Sequence, residues 1–129
     1  MKYYIEKSIS ASFEDALEKT EQALKEEGFG VISEIDIDQK LKEKIGVDYP
    51  KYKILGACNP PLAYQTLQKE NKIGTMLPCN VIVREAEDGM IEIAAVDPVA
   101  SMMAVQNDSL GEIAFDVQSR LQRVINSLD

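Results

Sequence analysis

The strongest constraint on the fold lies near the C-terminal end. There Leu110, Ile113, Ala114, Val117, Leu121, Val124, Ile125 and Leu128 recur at helical spacing. A stripe of that width faces a core rather than water. Ser109 and Glu112 have the spacing of a capping box for this helix, and Arg120 and Arg123 lie toward its negative end. A second helix is predicted after Ser12, with Asp15 as its acidic capping partner and Gly28 as a left-handed stop. It sets Phe13, Ala16, Leu17, Thr20 and Leu24 against a charged face of Glu14, Glu18, Glu21 and Lys25. Two such helices need an apolar surface to cover.

The remaining segments supply that surface. Lys2 to Ile9 reads as a strand. Val31 to Ile37 alternates, with Val31, Ile35 and Ile37 on one side and Glu34 and Asp36 on the other. Asp38 is placed to cap a short helix carrying Leu41 and Ile45 and ended by Gly46. Lys51 to Ala57 is a strand with Tyr52 and Ile54 on the face of Cys58, and with Lys51 and Lys53 opposite. Asn59-Pro60 is a strong helix start, followed by Leu62, Ala63, Leu67 and Ile73, the helix ending near Asn71 to Gly74. Cys79 to Glu85 puts Cys79, Val81 and Val83 on one face, and Glu87-Asp88-Gly89 is a hairpin turn into Met90 to Val96. Asp97-Pro98 opens a short helical piece through Met103. Strands apolar on one face and charged on the other suit an antiparallel sheet. The expectation is a single α+β domain over residues 1–129, two-layered, with the sheet covered by two main helices.

Composition narrows function by exclusion. With 14 Lys+Arg against 22 Asp+Glu, the net charge of −8 argues against nucleic acid or an anionic membrane as partner. The chain has no His, which removes the commonest metal ligand and the commonest general base. The N-terminal MKYYIEKSIS has no apolar core of a secretory signal, and no stretch reaches the length of a membrane span. A cytoplasmic protein with reduced thiols is expected.

Two thiols stand out. Cys58-Asn59-Pro60 and Pro78-Cys79-Asn80 flank strand ends. If those strands are antiparallel neighbours, both thiols lie at one end of the sheet, and strand parity puts them on its apolar side. The helix opening at Asn59 and Pro60 aims its positive end near Cys58, which favours a thiolate or an anion. Plain packing is the competing reading, because free cysteine usually behaves as a small buried hydrophobe. Without His or a CxxC pair, no zinc site is expected; soft-metal binding by the cysteines with Met76, Met102 or Met103 is conceivable, though methionines there serve better as core filler. Asp97 is a candidate acid that reads more naturally as an N-cap, and Tyr49, Tyr52 and Tyr64 are candidate pocket residues.

These same segments carry a family resemblance. Tyr52-Lys53-Ile54-Leu55-Gly56-Ala57-Cys58-Asn59-Pro60 and Gly74-Thr75-Met76-Leu77-Pro78-Cys79-Asn80-Val81-Ile82-Val83, with Asp97-Pro98 beyond, resemble the signature of domain-of-unknown-function family 302. The resemblance implies a TATA-binding-protein-like β-α-β4-α domain with short helical insertions, found as a homodimer. It assigns no activity. The expected function is therefore a non-enzymatic homodimer binding a small ligand or anion near Cys58, Asn59, Pro60, Cys79, Asn80 and Asp97, with no catalytic or metal residue assigned and the cofactor unknown. The rival readings are a thiol redox sensor or enzyme, with Cys58 as nucleophile and Cys79 resolving, and a purely structural interaction module.

Overall fold

The computed structural model describes residues 2–129. Its five-stranded sheet has the order β1-β5-β4-β3-β2, from β1 (Tyr4–Ile9), β2 (Gly30–Asp36), β3 (Tyr52–Cys58), β4 (Cys79–Glu85) and β5 (Ile91–Val96). Every neighbouring pair is antiparallel. The helices are α1 (Phe13–Glu26), α2 (Ile37–Ile45), α3 (Pro60–Lys69), α4 (Pro98–Met102) and α5 (Gly111–Ser127). This is the β-α-β4-α framework expected, with α2, α3 and α4 as insertions.

Burial is one-sided. Leu55, Val81, Val83, Ile91, Ile93 and Ala95 point from the sheet into a core closed by Ala16, Ala23 and Leu24 of α1 and Val117, Leu121, Val124 and Ile125 of α5. Ser12 caps α1, its hydroxyl accepting from the Asp15 amide at 3.1 Å. Thr20 is fully buried in the same helix, and its hydroxyl donates to the Ala16 carbonyl at 2.7 Å, so no polar atom is orphaned there. Gly28, at φ +88°, turns the chain out of α1 as expected. Among the described residues no helix is long and apolar enough to cross a membrane.

Several local expectations are corrected. The core face of β3 is that of Leu55 and Ala57, not that of Tyr52 and Ile54, which lie on the open face of the sheet opposite Arg84 and Ile82. Lys53 therefore leans toward the helix side, where its ammonium pairs with Asp36 at 3.4 Å. The alternation of β2 fails because a bulge between Val31 and Ser33 shifts register. Val31 still packs on the core, whereas Ile35 falls opposite Ile54 on the open face and Ile37 begins α2. Asp36, not Asp38, stands at the N-cap of α2; the Asp38 carboxylate accepts from the Tyr52 amide instead. Ser109 and Glu112 make no capping box, because residues 108–110 form a 3₁₀ turn capped by Asn107 ahead of α5. The helix after Asn59 stops at Lys69, and Ile73 is buried from a separate 3₁₀ turn.

Two expected outcomes follow from this geometry. A Cβ on Gly56 would collide with the Ser33 hydroxyl and stand 2.7 Å from the Pro78 ring, so only hydrogen fits where β2, β3 and the approach to β4 meet. Ser33 can rotate but the proline ring cannot, so Gly56→Ala should cost about 1–3 kcal/mol, read as a lower urea midpoint at unchanged m-value. The bulge also sets Glu34 opposite Leu55 on the helix side, beside Glu21 of α1. Partial burial, followed by the shared hydrogen bond and charge of Glu34, raises the Glu21 carboxyl above its ordinary value. A carboxyl raised on folding stabilises while protonated, and that contribution is lost as pH rises through its folded pKa. Glu21→Gln should raise Tm at pH 7, with the difference closing toward pH 4, as followed by circular dichroism.

Candidate functional site

The insertion helix α3 creates the site. Asn59 caps it, its side-chain carbonyl accepting from the Leu62 amide at 3.3 Å, and Pro60 fixes its first turn. Yet Thr66 is the only buried residue of α3: Leu62 and Ala63 are half-buried, Leu62 packing against the margin of the core, and Leu67 is exposed. They line a cavity of about 360 Å³ between α3 and α5, over the ends of β3 and β4. Ala57 and Cys79 lie on its strand side, Phe29 comes from the approach to β2 and Ile32 from its bulge, and Ile113, Ala114 and Val117 from α5. Leu77, Pro98 and Met102 complete much of the rest.

Both cysteines line this cavity. Ala57 pairs with Cys79, so Cys58 and Cys79 lie at one end of two adjacent antiparallel strands, as expected. Cys79 takes the core face through strand parity with Val81 and Val83, as expected. The parity expectation fails for Cys58, which alternates with Tyr52 and Ile54 away from the core face and reaches the cavity only as the last residue of β3. Burial, then the neighbouring Cys58, pushes the Cys79 thiol up to about 11. It is therefore a neutral thiol at physiological pH.

The other candidate residues separate. Asn59 lies at the α3 end of the cavity, its amide nitrogen 2.9 Å from where a Cβ on Gly28 would sit. Pro60 is exposed and is not part of the lining. Asn80 pairs with Gly56 and belongs to a second hollow, of about 380 Å³, on the open face of the sheet, with Tyr4, Tyr52 and Ile82. Asp97 acts as a cap: its Oδ1 accepts from the Val99 and Ala100 amides and from the Gln118 side chain at 2.9 Å. Of the methionines named above, Met102 lines the cavity, while Met76 and Met103 do not. Tyr64 is exposed on the outside of α3 and lines no part of the cavity. No group of three or more Cys, Asp or Glu side chains suited to a metal ion occurs among the described residues. Phe29, Thr66, Ile113 and Val117 had no sequence signal beyond ordinary core periodicity, which a cavity wall shares.

Comparison with known proteins agrees with the fold. A family model described as "Domain of unknown function DUF302" matches residues 5–128. The crystal structure of an uncharacterised conserved DUF302 protein from Bacillus stearothermophilus is similar over 100% of both chains, at 29% identity and a TM-score of 0.93. Among curated proteins none matches this chain.

The thiols should differ sharply in reactivity. Native-state alkylation with iodoacetamide at pH 8, followed by peptide mass spectrometry, should modify Cys58 well before Cys79. Equal rates at the two positions would contradict the burial of Cys79.

Proposed function

The chain belongs to the DUF302 family, and on that footing we propose that it is a non-enzymatic homodimer that binds a small molecule in the cavity between α3 and α5. The observation that carries this is the gathering of Cys58, Asn59 and Cys79 around one space of about 360 Å³. That is within the usual size of a small-molecule pocket. Its lining contains no Ser-base pair, no histidine and no charged side chain, so it has the means to hold a molecule and little with which to transform one. An anion is a poor fit, because the Asn59 carbonyl already occupies the Leu62 amide at the helix start and no cation lines the space. A cytoplasmic setting suits two unpaired thiols.

The redox reading is favoured by one fact, the shared cavity of the two cysteines. It is opposed by the neutral state of Cys79, since a resolving thiol acts as thiolate. Rapid reaction of Cys58 at pH 6 and a Cys58–Cys79 disulfide after diamide would put it first.

Dimerisation is supported by the open face of the sheet. Ile35, Ile54, Ile82 and Ala94 register side by side across four strands, with Ile82 on the central one. A two-fold axis passing near Ile82 would lay this row on its copy, as a self-complementary interface requires. Light scattering at micromolar concentration should give a dimer mass for the wild type and a monomer for Ile82→Glu with unchanged circular dichroism. A monomeric wild type would refute the assembly.

A further inference from the structure

We infer that the occupant of the α3–α5 cavity is an uncharged, largely apolar molecule, a narrowing that rests on the small-ligand role proposed above. The chemistry of the wall carries it. Although the protein bears a net charge of −8, no Asp, Glu, Lys or Arg side chain lines the cavity. A charged ligand would lose its hydration there and gain no counter-ion.

The polar groups of the wall are also largely spoken for. The Thr66 hydroxyl donates to the Leu62 carbonyl at 2.8 Å, and the Asn59 carbonyl accepts from the Leu62 amide. The Asn59 amide nitrogen lies beside Gly28 and is not a buried unpartnered group, so the wall presents no side-chain polar group in need of a charged partner. Cys79, held neutral, adds a soft apolar surface rather than a charge. At the ~30 Å³ that a water-sized group occupies in a liquid, 360 Å³ accommodates about a dozen non-hydrogen atoms.

A matched series separates this from the broader reading. The probes are 1-decanol, decanoate and decylammonium at pH 7, below their micelle concentrations, titrated into the dimer and followed by methyl NMR. Decanol should shift the methyls of Ala57, Leu62 and Ile113, with the two ions binding at least tenfold more weakly. Ala63→Trp, which fills the cavity from α3, should abolish those shifts. Leu67→Trp, at a position 40% exposed, serves the same purpose if the first variant does not fold. Equal or tighter binding of either ion would overturn the ligand class while leaving the small-molecule role standing. No binding of any probe would overturn both, because the cavity would then be closed to small molecules. Decanol binding that survives both tryptophan variants would place the apolar site elsewhere and overturn the inference.

Discussion

The fold depends on the pairing of its first strand with its last. Tyr4 lies opposite Val96, so β1 closes one edge of the sheet beside β5 while β2 closes the other. The chain must therefore cross the whole sheet between its first two strands. That crossing spans four strand spacings of ~4.8 Å, about 19 Å, and the fourteen residues of α1 provide about 21 Å of helix for it. Once α1 lies across the helix side of the sheet, α5 has one place left beside it, packed on β1 and β5. The two apolar stripes then meet the same set of inward residues of β3, β4 and β5, and α3 adds no fully buried apolar residue to that core, only Leu62 at its margin.

That arrangement explains the cavity. An insertion helix added to a core largely closed by α1 and α5 has little surface left to bury against it, and α3 contributes only Leu62 at the margin and the buried Thr66. Asn59 and Pro60 start α3 directly from the end of β3, and the chain returns through Ile73, whose burial anchors the far end. Between those anchors the apolar side of α3 faces α5 across open space, and the thiols of Cys58 and Cys79 are carried to its margin by the ends of the strands. The same placement sets the chemistry. A strand end inside an apolar wall desolvates Cys79, and the helix start that would otherwise favour an anion is occupied by its own cap.

The charges follow the same division between local and tertiary control. Arg120 illustrates it: its guanidinium pairs with Asp116 one turn earlier, a contact written in helical spacing, and also donates to the Glu27 carbonyl at the end of α1, a contact that only packing creates. The Glu21 and Glu34 carboxyls share no sequence relationship at all. They meet because a single bulge in β2 rotates Glu34 to the helix side.

The helices, the β4–β5 hairpin, the caps at Ser12, Asn59 and Asp97, and the antiparallel class of the sheet were legible in residue order, because each depends on spacing within a few neighbouring positions. The adjacency of Cys58 and Cys79 was legible too, since two consecutive antiparallel strands bring the end of one to the start of the next. Which face of β3 is buried was not, because Tyr52 and Ile54 are as apolar as Leu55 and Ala57 and only the helices decide between them. Nor was the bulge in β2 or the incomplete burial of α3. Those outcomes rest on long-range packing, in which a position's environment is set by elements far away in the chain. Local pattern therefore determined the parts and their order, and tertiary packing alone decided where an apolar surface was left uncovered.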